Sequence, residues 1–349
     1  MPNKYLNDLM NQQLNNTFVS MVLVTGGTGL VGAHLLIHLI EKGETVRAIY
    51  RNPKSIQKTE SLFSLYKKEK LFNSVHWIQS DILDVPSLEK AFTGITEVYH
   101  CAAFISFDPK EEDIIRKTNI EGTANIVNFC LAFDIKKLCF ISSIAALGDL
   151  LANENVITET TEWNPEKPHS DYAISKYGAE MEIWRGQQEG LKVLILNPGV
   201  ILGPGFWNQG SGLFFSKIKR GISFYTTGTT GFIAVKDVVE TGYDLMKSTI
   251  ENERFTLVAQ NLVFRDFINS ISDAVKVKRP RYLAKPLMMT VLWKLDWIAS
   301  YVFGQQRQIS KMSVKAAYSK GVYANDKIKN ALNKDFRDIH QYIKEVATL

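Results

Sequence analysis

Apolar residues along the first two hundred positions follow two alternating patterns. Short apolar runs, typical of buried strands, are separated by longer stretches in which apolar residues recur with helical spacing. The patterns predict strands over residues 22–24, 45–50, 75–78, 97–102, 138–142 and 193–197, and helices over 30–40, 54–71, 87–92 and 114–133, with a further helix around Tyr172. Strands that alternate with helices pair in parallel through right-handed crossovers. We therefore predict an α/β fold built on a Rossmann-type doubly wound parallel sheet.

The pattern changes after Pro198, where frequent glycines divide the chain into loops and short elements. Such a segment typically forms a smaller lobe over the carboxyl edge of the sheet. We expect a polar N-terminal extension at 1–20, which lacks the pattern of a signal peptide. A dinucleotide-binding domain with the catalytic residues is expected at 21–200. Residues 201–349 are expected to be mainly a C-terminal substrate lobe, with some segments returning to the main sheet.

Residues 286–303 are strongly apolar and are followed by Gly304. A helix of this length would span roughly 27 Å, slightly less than a membrane crossing needs. Lys294 and Asp296 lie in its middle, and charges there argue against an integral membrane segment. A buried helix or a wall of the substrate pocket is the favoured interpretation, and peripheral membrane contact is the alternative.

Composition narrows the possible functions. Hydrophobic residues make up 45% and charged residues 22% of the 349 residues, and the net charge is +5. No basic stripe interleaved with aromatics is present, so nucleic acid is not an expected partner. Cys101, Cys130 and Cys139 form no CxxC pair, which argues against disulfides and zinc and favours a reducing, cytoplasmic setting. His34 and His38 lie four residues apart without an evident third ligand, so no metal site is expected.

A glycine-rich turn joins the first predicted strand to the first predicted helix. Gly26, Gly29 and Gly32 stand where a dinucleotide-binding βα unit tolerates no side chain. The phosphates of the ligand would lie on the free N–H groups at the positive end of the helix. The contacts expected here are Gly26, Thr28, Gly29, Leu30, Val31 and Gly32.

The end of the second strand indicates which dinucleotide is bound. An acidic residue there accepts hydrogen bonds from the ribose hydroxyls of NAD, whereas an arginine pairs with the 2′-phosphate of NADP. This chain has Arg51 at that end, followed by Lys58, so NADP(H) is preferred over NAD(H). A solvated basic helix is the alternative explanation. Asp81 is expected to meet the adenine amino group with Ile82 packed on the ring, although Asp81 also fits an ordinary loop aspartate.

A second group of residues can perform proton transfer. Tyr172 and Lys176 are four residues apart, so they share one face of a helix. An ammonium beside a phenol stabilises the phenolate and lowers its pKa, which prepares a tyrosine to exchange a proton with a carbonyl or alcohol. Ser142 and Ser143 end the fifth predicted strand, where a hydroxyl can orient the same substrate oxygen.

These motifs resemble the extended short-chain dehydrogenase/reductase family, also called the NAD-dependent epimerase/dehydratase family. The resemblance rests on Thr25-Gly26-x-x-Gly29-x-x-Gly32, Tyr172-x-x-x-Lys176 and the intervening Asn119. It extends over residues 98–103, 140–143 with Gly148, 197–205 and 232–239, and covers about 21–345. The resemblance assigns the serine role to Ser143 by its spacing to Gly148.

The resemblance implies further contacts to the nicotinamide half of the cofactor. Those residues are Ala102, Ala103, Tyr172, Lys176, Asn197, Pro198 and Val200. Asn119 would shape a water path to Lys176. The Asn197-Pro198 pair and Arg51 are similar to the dihydroflavonol 4-reductase and 3β-hydroxysteroid dehydrogenase branch. Many nucleotide-sugar enzymes have an arginine before that proline, and dehydratases carry an acidic pair where this chain has Ile144-Ala145.

The function that the resemblance implies is hydride transfer between NADP(H) and a carbonyl or alcohol carbon of an apolar or aromatic small molecule. Ser143 would position the substrate oxygen, Tyr172 would act as general acid or base, and Lys176 would lower the Tyr172 pKa and hold the ribose. The predicted substrate contacts are Phe104, Phe107, Ser143, Phe206, Trp207 and Met288, of which the aromatic residues and Met288 also fit plain core packing.

Two other functions remain open from the sequence. One is a nucleotide-sugar epimerase or dehydratase with tightly bound NAD. The other is a non-catalytic regulatory protein that binds the dinucleotide, which the presence of Tyr172 and Lys176 argues against. Family members often dimerise through two long helices, so a homodimer through residues 114–133 and 172–189 is a further expectation.

Overall fold

The computed structural model describes residues 20–106, 108–303 and 311–349. Its strands are β1 (Met21–Thr25), β2 (Thr45–Tyr50), β3 (Val75–Gln79), β4 (Ile95–His100), β5 (Lys137–Ile141), β6 (Val193–Pro198), β7 (Val200–Leu202), β8 (Phe224–Tyr225), β9 (Thr229–Ala234), β10 (Glu253–Leu257), β11 (Gln260–Val263) and β12 (Tyr282–Leu283). A seven-stranded sheet has the order β10-β6-β5-β4-β1-β2-β3. Every neighbouring pair in it is parallel. The predicted Rossmann-type doubly wound sheet is confirmed.

Helices cover both faces of this sheet. They are α1 (Leu30–Glu41), α2 (Ile56–Leu65), α3 (Glu69–Phe72), α4 (Val85–Phe92), α5 (Glu112–Arg116), α6 (Gly122–Ala132), α7 (Asp171–Gln188), α8 (Gly212–Lys219), α9 (Val235–Lys247), α10 (Phe264–Ala274), α11 (Pro286–Phe303), α12 (Lys311–Ala316), α13 (Asp326–Leu332) and α14 (Ile339–Thr348). A π-helical turn, Lys117–Glu121, joins α5 to α6.

Alternation along the strands feeds two cores. Val22 and Val24 of β1 point into a cluster with Leu36 of α1. Leu23, between them, points to the opposite face and joins a cluster with Ile126 of α6 and Ile183 of α7. Since side chains along a strand alternate between faces, the continuous apolar runs reflect burial on both sides.

The chain order reverses between β1 and β4, because β2 and β3 lie on one side and β5 and β6 on the other. Open α/β sheets bind ligands in the crevice at the carboxyl ends of the strands next to such a reversal. The glycine turn after β1 and Ala102 after β4 lie side by side at this crevice.

Several predicted boundaries differ from the structure. The helix predicted over 54–71 is broken, because Lys67 adopts a left-handed φ of 57° between α2 and α3. The helix predicted over 114–133 is interrupted by the π-helical turn. The strand predicted over 97–102 begins earlier, at Ile95, and ends at His100.

The C-terminal part of the chain contributes to two regions. Strand β10 pairs with β6 and extends the main sheet. Strands β7, β9 and β11 form a separate sheet, and β8 pairs with β12. A core that includes Phe232, Phe267 and Tyr342 joins the sheet of β7, β9 and β11 to α10 and α14.

Helix α11 has the bounds that the sequence predicts, but its interpretation as a buried helix is wrong. Leu287 is 77% exposed and Leu295 is 55% exposed, while Ser300 is 4% exposed. Among the helices described, none is long and apolar enough to span a membrane.

Candidate active site

The glycine turn is shaped by close backbone contacts. Gly26 has a φ of 69°, and a Cβ there would lie 2.7 Å from the backbone nitrogen of Ala102. A Cβ on Gly32 would lie 2.2 Å from the Gly26 carbonyl oxygen. Any side chain at either position would therefore push β1, β4 and α1 apart.

The N-terminus of α1 is free to bind an anion. Gly29 is its N-cap residue and supplies no side-chain hydrogen bond. The first N–H groups of α1 therefore lack a capping acceptor, as a phosphate site requires. Thr28, Leu30 and Val31 are half-buried around this end. The turn fits the pyrophosphate of a dinucleotide.

Thr59 fixes the turn from the other side. This buried residue of α2 donates a hydrogen bond of 3.0 Å from its hydroxyl to the Gly27 carbonyl. The same helix carries Lys58, whose ammonium donates to the Gln209 side chain at 3.1 Å. Helix α2 thus links the glycine turn to a segment of the C-terminal part.

A buried chain of polar groups connects β1 to the π-helical turn through His100. Its Nδ1 lies 2.7 Å from the Thr25 hydroxyl, and its Nε2 lies 3.0 Å from the Thr123 hydroxyl. Burial lowers the pKa of His100 to about 3, so the ring is neutral at physiological pH.

The neighbouring groups define the tautomer of His100. Thr123 donates its hydroxyl proton to the Asn119 carbonyl at 2.6 Å, so it accepts from His100 Nε2–H. Thr25 accepts from the Ala102 N–H at 3.1 Å and is left to donate to the bare Nδ1. Both side-chain partners of His100 are therefore threonine hydroxyls.

Asn119 lies on the π-helical turn and is 2% exposed. Its amide nitrogen donates to the Phe104 carbonyl and to the Ser175 hydroxyl, both at 2.9 Å. Its side-chain oxygen accepts the Phe104 N–H at 2.7 Å. Asn119 therefore holds the chain after β4 against α7.

The two adjacent serines after β5 have different surroundings. Ser142 is buried and donates to the Glu180 carboxylate at 2.5 Å. Ser143 is half-buried, and its hydroxyl accepts the Ala145 N–H at 3.1 Å. Ser143 also lies near the Tyr172 phenol, where it partly opposes the increase in pKa that burial causes. This arrangement supports the assignment of the substrate-orienting role to Ser143.

Lys176 lies one turn after Tyr172 on α7 and is 3% exposed. Its ammonium donates to the Ile141 carbonyl at 2.8 Å and lies 4.8 Å from the centre of the Phe140 ring. Burial lowers the pKa of Lys176 to about 8, although Glu180 opposes the shift.

The pKa of Tyr172 differs in direction from the prediction. Burial raises it above its ordinary value, and the hydrogen bond with Ser143 partly opposes the increase. Burial of the phenol is the main cause, and the Lys176 ammonium donates to the Ile141 carbonyl. Tyr172 therefore carries its proton at neutral pH.

The structure brings in a buried network that sequence reasoning missed. Glu180 is fully buried and receives hydrogen bonds from Ser142, from Asn197 at 2.6 Å and from Arg254 at 3.3 Å. Burial raises the pKa of Glu180, while its donors oppose the increase. The one available signal was its position four residues after Lys176 on the same helix.

Asn197 is part of this network. Its amide nitrogen also donates to the Ser143 carbonyl at 3.0 Å, which fixes the end of β5. Its buried side-chain oxygen has no hydrogen-bond partner among the described residues. One acceptor is thus left at this end of β6, next to the buried Pro198 and the half-buried Val200.

The opposite end of the crevice is open to solvent. The Arg51 side chain is 61% exposed, and its guanidinium lies 4.0 Å from the Asp81 carboxylate. Asp81 also accepts the Leu83 N–H at 3.0 Å. Ile82, predicted to pack on the adenine, is 5% exposed and faces Gly122 of α6, so its side chain points into the core.

A comparison with known protein families identifies the family of this chain. The profile of the NAD dependent epimerase/dehydratase family matches residues 22–255. The chain belongs to this family. The enzyme is thus an NAD(P)-dependent oxidoreductase of the extended short-chain type, and its cofactor is a nicotinamide dinucleotide.

The sequence is similar to two named proteins. Sterol demethylase protein B of Methylococcus capsulatus is 26% identical over 271 residues, covering 76% of this chain and 78% of that protein. A putative dihydroflavonol 4-reductase of Synechocystis is 27% identical over 266 residues, covering 74% and 73%. The resemblance to the dihydroflavonol 4-reductase branch is confirmed.

Solved structures support the fold of the enzyme. The crystal structure of gox2253 has a TM-score of 0.78 at 23% identity, covering 94% of this chain and 97% of that chain. UDP-glucose 4-epimerase from Thermotoga maritima has a TM-score of 0.73 at 20% identity, covering 94% and 97%. At this level of identity the likeness concerns the fold alone.

The predicted substrate residues of the enzyme have different environments. Phe104, Trp207 and Met288 are half-buried. Phe206 is 4% exposed and packs in the core cluster of α1 and α2, so its prediction as a substrate contact is corrected. Phe107 lies outside the described residues.

The described residues contain no group of three His, Cys, Asp or Glu side chains able to hold a metal. The Nδ1–H of His34 donates to the Leu30 carbonyl at 2.7 Å, so its Nε2 accepts from the Tyr66 hydroxyl at 3.1 Å. Burial lowers the pKa of His34 to about 4. Both ring nitrogens of His34 are therefore occupied by hydrogen bonds that hold α1 in place.

Proposed function

We propose that the enzyme interconverts a carbonyl and an alcohol on an apolar or aromatic small molecule, with NADP(H) as its preferred cofactor. The observation that carries the proposal is the convergence of Ser143, Tyr172 and Lys176 at the end of β5. Ser143 lies near the Tyr172 phenol and partly opposes the increase in its pKa that burial causes, and the Ile141 carbonyl holds Lys176 one helix turn further on.

The roles follow from the protonation states. A bound nicotinamide supplies or removes the hydride at the substrate carbon. Tyr172 keeps its proton because burial raises its pKa, so it can donate that proton to the substrate oxygen during reduction. Ser143 orients the same oxygen by a hydrogen bond. Lys176 places a positive charge beside the site while its own pKa is about 8.

The cofactor preference rests on the end of β2. Arg51 offers a 61% exposed guanidinium there, and arginine pairs well with a phosphate through charge-assisted hydrogen bonds. The exposed Lys58 adds a second cation on α2. Asp81 opposes them with one negative charge at 4.0 Å from Arg51. The two cations favour a 2′-phosphate over the bare ribose hydroxyl.

The substrate class rests on the half-buried side chains of Phe104, Trp207 and Met288. They offer aromatic and thioether surface, which favours an apolar or aromatic substrate. The names of the two relatives, a sterol demethylase protein and a dihydroflavonol reductase, point to the same class.

Fluorescence titration of the purified enzyme with NADPH and NADH tests the proposal. We expect NADPH to bind at least about tenfold more tightly, since hydrogen bonds to charged groups contribute roughly 1.5–3 kcal/mol. The enzyme should then oxidise NADPH with aromatic ketones as substrates. Equal affinity for the two cofactors, or tighter binding of NADH, would show that Arg51 does not select NADPH. Tightly copurifying NAD, without ketone turnover, would indicate a nucleotide-sugar epimerase instead.

A further inference from the structure

Helix α11 has its apolar side turned to solvent. Leu287 is 77% exposed, Val291 49%, Leu295 55% and Ile298 47%. These four residues, spaced three or four apart, form one stripe, which we call the α11 outer face. A surface helix of a globular protein normally buries such a stripe and exposes its polar residues.

The opposite side of α11 is less exposed and carries both polar and apolar residues. Ser300 is 4% exposed, and Thr290 and Asp296 are half-buried. Met288, Met289 and Trp293 are half-buried on this side as well, so α11 is apolar around most of its circumference and leaves part of that apolar surface exposed. Contiguous exposed apolar surface of this kind marks an interaction site.

Aromatic side chains border the α11 outer face. Trp297 is 53% and Tyr301 is 82% exposed, and their rings stack at 6.2 Å. Just before the helix, Tyr282 of β12 is 62% exposed and Phe224 of β8 is 48% exposed, with ring centres 5.8 Å apart. Trp and Tyr are the residues favoured at a membrane–water interface.

The charge of this region is strongly positive. Residues 276–303 contain six basic side chains and one acidic side chain, Asp296. The basic residues are Lys276, Lys278, Arg279, Arg281, Lys285 and Lys294, all exposed. Arg279 is paired with Asp273 through a hydrogen bond of 2.6 Å. An apolar face next to lysines and arginines is complementary to a partner that offers an apolar layer beneath negatively charged groups.

We propose that α11 lies in the interface of a membrane that contains anionic phospholipid and docks the enzyme there. The α11 outer face would enter the boundary between headgroups and acyl chains, and the basic side chains of 276–285 would contact the lipid phosphates. The helix does not meet the requirements of a membrane span, so it lies along the surface.

A second copy of the chain fits this face less well. Lys294 lies at the middle of α11, which runs from Pro286 to Phe303. A two-fold symmetric contact places the same surface of both copies together. Two helices crossing at their middles would bring both Lys294 ammonium groups into an apolar contact, where like charges repel. A lipid phosphate satisfies the same lysine.

Vesicle co-sedimentation of the full-length chain tests the proposal. The vesicles are phosphatidylcholine alone or phosphatidylcholine mixed with phosphatidylglycerol. We expect binding to the mixed vesicles, weaker binding to the neutral ones, and release at high salt because screening weakens the charge attraction. Replacing Lys278, Arg281 and Lys285 with Gln should weaken binding about fivefold for each side chain. Lys70, Lys90 and Lys136, exposed elsewhere, provide the matched triple control.

A second pair of variants tests the apolar face. Val291→Ser with Leu295→Ser should abolish binding to the mixed vesicles. The matched control is Val85→Ser with Leu151→Ser, which removes a valine that is 51% exposed and a leucine that is 65% exposed from other places. The control variant should bind as the unaltered chain does. Circular dichroism establishes that both variants are folded.

Three results would overturn the proposal. The unaltered chain could fail to bind mixed vesicles at low salt. The control pair could lose binding as much as the α11 pair. Light scattering could show a dimer that the α11 pair dissociates, without vesicle binding by the unaltered chain, and the face would then belong to a second copy. Each result is independent of cofactor binding and turnover.

Discussion

The two ends of the cofactor crevice are built in opposite ways. At the reaction end, Asn119 and Lys176 are 2% and 3% exposed, and their side chains are hydrogen-bonded to backbone or neighbouring side chains. At the adenine end, the Arg51 side chain is 61% exposed and reaches Asp81 at 4.0 Å. One end is fixed by the fold, and the other consists of long side chains in water.

The difference follows from the demands of each task. Proton transfer requires the reacting atoms to be held in a narrow range of distance and angle, which a buried network provides. Recognition of a phosphate by a cation tolerates more movement, since the attraction falls slowly with distance. Variants at the reaction end should therefore change stability or the chemical step, and variants at the adenine end should change affinity alone.

The largest effect is expected from acid, through His100. Its pKa is about 3 in the folded protein, against 6.5 for an ordinary histidine. The unfolded chain binds the proton more tightly, so this contribution is complete above pH 6.5 and is lost as pH falls toward 3. The difference corresponds to roughly 5 kcal/mol of unfolding free energy at most. Urea denaturation measured at several pH values checks it.

His100→Gln should be less stable at neutral pH and should lose less stability on acidification. His76→Gln is the control, because His76 is exposed. An identical pH dependence in His100→Gln and the unaltered protein would mean that other groups, such as buried carboxylates, govern acid unfolding.

The next largest effect is expected from Tyr172→Phe. Removal of the phenol hydroxyl should lower kcat by about 10³-fold, since general acid catalysis contributes roughly 10²–10⁴-fold. NADPH affinity should stay nearly unchanged. Steady-state oxidation of NADPH with an aromatic ketone measures kcat, and fluorescence titration measures the affinity.

Tyr177→Phe is the matched control on the same helix. Tyr177 stacks on Trp163 with ring centres 4.4 Å apart. Its variant should retain kcat. If Tyr172→Phe kept full turnover, the proton would come from another group and the proposed centre would be wrong.

The smallest effect is expected from Arg51→Gln. NADPH should bind about tenfold less tightly after loss of a charge-assisted hydrogen bond, whereas NADH affinity should not change. The free energy of unfolding should stay within about 0.5 kcal/mol, as for most exposed positions. Lys70→Gln on α3 controls for the loss of a distant positive charge. An equal loss of NADPH and NADH affinity would show that Arg51 supports the site without reading the 2′-phosphate.

The sequence is most informative where the signal is local. The glycine turn could be predicted because Gly26 and Gly32 meet steric limits within one βα unit. The spacing of Tyr172 and Lys176 lies within one helix turn. The apolar strand runs predicted the parallel sheet, because burial on both faces leaves a continuous apolar signal.

The buried network was not predictable because its members are distant in sequence. Arg254 and Glu180 are 74 positions apart and meet because β10 returns to the main sheet beside β6. The same reason applies to His100, whose partners Thr25 and Thr123 are 75 and 23 positions away.

Phe206 and helix α11 show the limits of hydrophobicity as a guide. Phe206 was predicted to contact substrate and lies in the core. Residues 286–303 were predicted to form a buried helix or a wall of the substrate pocket, and one face of the helix is exposed. An apolar side chain indicates that contact with another apolar surface is favoured over contact with water. It does not identify whether that partner is a core, a substrate or a membrane.

The π-helical turn at Lys117–Glu121 has a consequence for how the chain can change over generations. Such a turn holds one residue more than a regular helix and arises from a single insertion. Deleting one residue there would restore a regular helix and rotate the positions on one side of the deletion by about 100° relative to the other. Asn119 would then lose its three contacts with Phe104 and Ser175. Insertion or deletion of one codon is therefore a single genetic step by which proteins of this fold could gain or lose the Asn119 hydrogen bonds.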